Sequence, residues 1–159
     1  MRILNLGWGV QSFTLAAMVA LGELEPIDAA IHADTTHERE STYRFAAKYT
    51  PLLEARGVRV VTVRDAEQAA PVTTLKIDIP AHTISESSNG GMLRRQCTGR
   101  WKIQPIRKWL QANRNGEPVE QWLGISLDEA ERMKPSDVKY IKHRWPLIEK
   151  RMSRNACIA

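Results

Sequence analysis

The chain has 159 residues, 43% hydrophobic and 26% charged, with a formal net charge of +5. That length suits one domain with its own core, since compact domains run to about 100–150 residues, and no apolar run approaches the roughly 20 residues of a membrane span. Two cysteines, Cys97 and Cys157, are too few for a disulfide framework and too far apart for a self-contained zinc site, while the basic stretches Arg94 to Lys108 and Lys134 to Arg154 favour a polyanionic ligand.

Arg2 to Leu6 reads as a buried parallel strand. No signal-peptide pattern precedes it, so the expected location is cytoplasmic. It runs into Gly7-Trp8-Gly9-Val10-Gln11-Ser12, after which Phe13, Leu15, Ala16, Val19 and Ala20 follow the spacing of a helix packed on a sheet. Two glycines let the backbone turn sharply and approach a ligand, and Ser12 with the helix-start amides can donate to phosphate oxygens. The competing reading is a tight connection whose glycines serve the backbone alone.

Ala29 to Ala33 is a second strand, closing on Asp34-Thr35. Glu38 to Arg56 has helical spacing, with Pro51 expected to kink or divide it and Gly57 to cap it, and Val58 to Val63 is a third strand. This order predicts an α/β fold: a Rossmann-like parallel sheet with helices on both faces and ligands at the carboxyl ends of its strands. That rule brings the glycine turn and Asp34-Thr35 to one edge.

Beyond Asp65 the pattern weakens. Val72 to Ile79 suits a strand or an extended arm and Ser85 to Gly91 a flexible loop, together a mobile lid inserted over about 65–96. Ile103 to Ala112 is a helix with Pro105 in its first turn, Asn113 to Gly116 a turn, and Val119 to Ile125 another strand. The rest is charged, basic over about 134–159, and ends in a final helix; the whole of residues 1–159 reads as one nucleotide-binding domain.

The glycine turn lacks the Gly-Lys-Ser/Thr of a Walker loop. Gly7 and Gly9 match the first two positions of a dinucleotide fingerprint, with Ser12 at the third and Asp34 as the ribose-binding acid, so a nicotinamide or flavin site stays open. Asp34 equally suits a helix cap. Arg94, Arg95 and Arg100 beside Cys97 favour its thiolate, against the ordinary reading of a free cysteine as a small buried hydrophobe. His37 has no partner at metal-ligand spacing and reads as a ligand-contacting residue at most, and Trp101, Trp109, Trp122 and Trp145 read as packing residues.

Residues 7–12 resemble the PP-loop of the adenine-nucleotide alpha-hydrolase superfamily, Ser-Gly-Gly-x-Asp-Ser, and most of all its variant in the phosphoadenosine-phosphosulfate (PAPS) reductase family. Gly9 and Ser12 fall on family positions; Gly7 stands for the first serine, Trp8 for a glycine and Gln11 for the aspartate. Asp34-Thr35-Thr36-His37-Glu38 resembles the family's Asp-Thr-Gly element, and Cys97-Thr98-Gly99-Arg100-Trp101-Lys102-Ile103-Gln104-Pro105 its Cys-x(4)-Lys-x-x-Pro element. Gly124 to Arg132 resembles its Gly-Ile-Arg-x-x-Glu-Ser-x-x-Arg stretch, with Ser126 for the arginine.

The resemblance implies a HUP-type Rossmann-like fold binding an adenine nucleotide, ATP or PAPS, with magnesium as a further cofactor. Gly7, Trp8, Gly9, Gln11 and Ser12 would hold phosphates, Asp34, Thr35 and Glu38 the adenosine side, and Lys102 and Arg100 would stabilise charge at the α-phosphate, with Cys97 a ligand or thiol. The implied chemistry is that of an oxidoreductase or transferase: reduction of PAPS, or ATP-dependent adenylation with sulfur transfer, from a sulfur donor, to an acceptor such as a nucleic acid. In some phage and bacterial relatives a segment like Met152 to Cys157 precedes another cysteine pair that completes an iron–sulfur site; Cys97 and Cys157 alone supply two thiolates, too few for a four-cysteine cluster. The rival to an enzyme is a non-catalytic module that binds a nucleotide or a nucleic acid.

Overall fold

The computed structural model describes residues 1–36, 38–65 and 98–158. His37, Cys97 and the expected insertion from residue 66 onward, with its strand or arm at Val72 to Ile79, lie outside the described residues.

Five strands form one parallel sheet: β1 (Arg2–Asn5), β2 (Ala29–Ala33), β3 (Val60–Val63), β4 (Val119–Trp122) and β5 (Ile141–Arg144), in the order β3-β2-β1-β4-β5. The helices are α1 (Val10–Ala20), α2 (Glu40–Glu54), α3 (Gln104–Asn113) and α4 (Pro146–Glu149). This is the α/β Rossmann-like architecture expected from the sequence.

The period-2 alternation of strand side chains divides the core between the two faces. From β1, Leu4, together with Leu6 just beyond it, packs with Leu15, Ala16 and Met18 of α1, Leu53 of α2 and Leu147 of α4. Ile3 faces the other way, with Ile106 and Leu110 of α3, Val119 of β4 and Ile141 of β5. Full burial of each such side chain contributes about 1.5–3 kcal/mol. The placement of helices follows from crossover hand: β1 to β2 to β3 steps one way with α1 and α2 on one face. The chain then passes back beyond β1 to β4, and a connection of the same hand in the reverse direction puts α3 on the opposite face.

Three expectations are corrected. Pro51 does not divide α2, which runs through it to Glu54. It lies in the last turn, where the missing N–H removes one bond, while Ala55 still donates to the Pro51 carbonyl at 3.0 Å and Leu53 is anchored in the core. The helix then closes as expected at Gly57 (φ 82°), with Val58 donating to Leu53 and Gly57 to Glu54, a Schellman motif. The charged tail holds an unanticipated strand, β5, in register with β4 from Val119↔Ile141 to Trp122↔Arg144, and its helix is only the four residues of α4. Helical structure also begins before the Ile103 start expected of it, with a π-helical turn, Thr98–Ile103, ahead of α3.

Candidate functional site

β1 is flanked by β2 and β4, whose connections lie on opposite faces, so a crevice opens between the carboxyl ends of β1 and β4. The glycine turn sits there. The sharp bend belongs to Trp8 (φ 57°), whereas neither Gly7 nor Gly9 takes a positive φ, which corrects the expectation that the glycines make the turn. A left-handed non-glycine residue costs roughly 1–2 kcal/mol. The indole offsets this by burial, its ring centroid 6.3–6.4 Å from those of Phe13, His32 and Phe45.

Gly7 and Gly9 are exposed, and a Cβ on either has room: 3.9 Å from Ser12 Oγ at Gly7, nothing within 4 Å at Gly9. Val10, Gln11 and Ser12 precede the first helical bond, from Phe13 N–H to the Gly9 carbonyl at 2.9 Å, so their amides belong to the open end of α1. The Ser12 hydroxyl is turned back into the loop, accepting from Gly7 N–H and donating to the Gly9 carbonyl, both at 3.2 Å. It shapes the turn.

Gly124, just past β4, lies against this helix start. A Cβ there would stand 2.7 Å from Ser12 N and 2.9 Å from Ser12 Cα. Beyond it, the buried Gln11 amide donates to Glu129 Oε2 at 2.8 Å and to Ser126 Oγ at 3.4 Å, and its oxygen accepts from Arg154 Nη1 at 3.0 Å. Glu129 in turn pairs with Arg132 at 2.7 Å inside the 3-10 turn Leu127–Arg132.

At the end of β2, the buried Asp34 accepts Thr36 N–H (2.8 Å) and Tyr43 O–H (2.9 Å) on Oδ1 and Arg64 Nε–H (2.8 Å) on Oδ2, where Arg64 Nη2 also lies at ion-pair distance (2.8 Å). Burial pushes its carboxyl up, but these donors together hold it below the ordinary aspartate range. Thr36 is left-handed as well (φ 59°). Thr35 Oγ1 donates to Glu38 Oε1 at 3.1 Å, which also receives Lys102 Nζ at 2.9 Å. Against the opposing effect of burial, Lys102 and Thr35 hold the Glu38 carboxyl low. Beside them the buried His32 has Nδ1 3.1 Å from the Leu6 carbonyl; a carbonyl only accepts, so Nδ1 carries the proton, and desolvation keeps the ring neutral.

The expected residues thus fall in two groups, 7–12 at the end of β1, and Asp34, Thr35 and Glu38 at the end of β2 joined by Lys102. Arg100 belongs to the same π-helical turn as Lys102. Cys157 lies along α1, where its carbonyl accepts from Thr14 Oγ1 at 3.1 Å and burial raises its thiol pKa; Cys97 is outside the described residues. Among the described residues no three His, Cys, Asp or Glu side chains gather to hold a metal ion. Tyr43, Arg64 and Arg154 were not anticipated as site residues, and Gly124 was expected only as the start of the stretch resembling the family's Gly-Ile-Arg element. Arg64 had a signal in its place directly after β3; Tyr43, Gly124 and Arg154 reach the site only through tertiary packing. No protein-family model matches the chain, and no curated protein matches it.

Proposed function

We propose that the chain is an adenine-nucleotide-binding enzyme similar to the PAPS reductases, holding its ligand's phosphates at residues 7–12 and the adenosine side beside residues 34–38. The observation that carries this reading is the identity of Gly7 and Gly9. Among the glycines with positive φ, Gly22, Gly57 and Gly116, the backbone explains the residue, and at Gly124 close packing does. At Gly7, Gly9 and Gly99 neither applies, and of these Gly7 and Gly9 lie exposed at the open end of α1, where the absence of a side chain serves the close approach of an anion. Trp8 and Thr36 add support: each is left-handed where the resembled motif has glycine.

In this reading the α1 amides and the positive end of its dipole receive phosphate charge as it builds during cleavage, with Lys102 and Arg100 nearby in sequence and Glu38 holding the Lys102 ammonium in place. Asp34, tied to Thr36, Tyr43 and Arg64, shapes the β2 turn. The chemistry is reduction of PAPS, or adenylation with sulfur transfer using ATP.

Calorimetric titration with ATP, PAPS and NAD tests the reading. The native chain binds ATP or PAPS saturably, and Gly9→Ala weakens this at least about tenfold, or 1.4 kcal/mol. The same change shifts stability by less than about 1 kcal/mol, since Gly9 has an extended backbone (φ −80°) and open space. Folded protein that binds neither nucleotide overturns the proposal, and a preference for NAD turns it toward the dinucleotide site.

A further inference from the structure

A phosphate site needs counter-charge, yet the cations whose pairing is described at the sheet edge are already matched: Lys102 with Glu38, Arg64 with Asp34, Arg132 with Glu129. Arg154 differs. It is exposed and makes no ion pair among the described residues, and its guanidinium donates instead to a neutral oxygen, that of the Gln11 side chain at 3.0 Å. Gln11 is the second residue of α1, and helical side chains lean toward the N-terminus, so this contact holds Arg154 beside the first turn. A cation there is opposed by the positive end of the helix dipole, and an arriving anion reverses the sign of that interaction.

The tail does not need the guanidinium to stay in place. Arg154 N–H donates to Asp128 Oδ1 at 2.8 Å, Leu127 N–H to the Met152 carbonyl at 2.8 Å, and Thr14 to the Cys157 carbonyl at 3.1 Å. Asp128 accepts from the backbone of Arg154, whose charge helps to hold that carboxyl low without a side-chain ion pair between them.

We propose that Arg154 is a ligand-binding residue, a cation delivered by the C-terminal segment to the phosphates of the nucleotide and oriented by Gln11. This rests on the nucleotide reading above. A guanidinium offers five N–H donors, of which Gln11 engages one, leaving a fork suited to phosphate oxygens.

The test is titration of the full chain with ATP, PAPS and inorganic tripolyphosphate, comparing native protein with Arg154→Ala, Arg154→Gln and Arg154→Lys, and thermal melting of each. Loss of a charge-assisted bond predicts weaker binding of the phosphate ligands by about tenfold to a hundredfold in the alanine and glutamine variants, with partial recovery in the lysine variant and unchanged melting. Native protein that binds while the glutamine variant matches it within twofold overturns the proposal and leaves the nucleotide reading standing. Native protein that binds no phosphate ligand overturns both. Should the alanine variant melt early, the glutamine variant, which retains a donor for Gln11 without the charge, decides between charge and structure.

Discussion

Two glycines at the same site predict opposite outcomes for one added methyl group. At Gly124 a Cβ would meet the backbone of α1 at 2.7–3.0 Å, and main chain cannot swing aside as the end of a long side chain can. Gly124→Ala is expected to cost about 1–3 kcal/mol by overpacking and to lower the melting temperature by several degrees. It also forces β4's end away from the helix start, so the proposed nucleotide binding is expected to fall with it. Gly9→Ala separates these effects, with melting expected nearly unchanged while the proposed binding weakens, and a parallel fall in both variants would deny Gly9 its proposed ligand role. Ser12, Gly7 and Gly9 are legible in the sequence because their neighbours are local. Trp8 is not: glycine is the residue expected at positive φ, and only the rings of Phe13, His32 and Phe45 explain how an indole holds that conformation.

The central elements are legible for a similar reason. β1, β2 and β3 are short apolar runs, and β2 is buried at every position, so their residues carry the signal of their environment. β5 carries almost none. It lies at the sheet's edge as Ile-Lys-His-Arg, with Ile141 alone buried, and its place is set by pairing with β4 rather than by its own composition. Arg144 reads as a surface charge, yet it lies 5.1 Å from the Trp122 ring centroid and pairs with Glu25 and Glu149. The C-terminal segment is therefore part of the core, anchored by Leu147, which is fully buried against the α1 face. Leu147→Ala is expected to destabilise the whole fold by about 2–5 kcal/mol in denaturant unfolding. A cost below 1 kcal/mol would mean that β5 and α4 sit on the molecule without supporting it.

For the molecule as a whole, the buried titratable groups set a direction with pH. His32 is held neutral by desolvation, with Asp34, Glu38 and Lys102 as the charged groups around it, so its folded pKa lies below the ordinary 6.5. The unfolded chain then binds the proton more readily, and the stability due to His32 is complete above pH 6.5 and lost as pH falls through its folded value. Asp34, Glu38 and Glu120 are also held below their ordinary values of 3.8, 4.5 and 4.5, which places their losses lower. Melting temperature is expected to be level from neutral pH to about 6.5 and then to decline in two stages, the first absent in His32→Gln. A midpoint unchanged between pH 7 and pH 5 would contradict the neutral His32. The wiring of Gln11 has a further consequence, in time rather than energy. Its partners Ser126, Glu129 and Arg154 lie 115, 118 and 143 residues along the chain. At a synthesis rate of about 5–20 residues per second, the turn leaves the ribosome roughly seven to thirty seconds before Arg154 does. The hydrogen bonds of Gln11 at the first turn of α1 are thus completed only after Arg154 has been made.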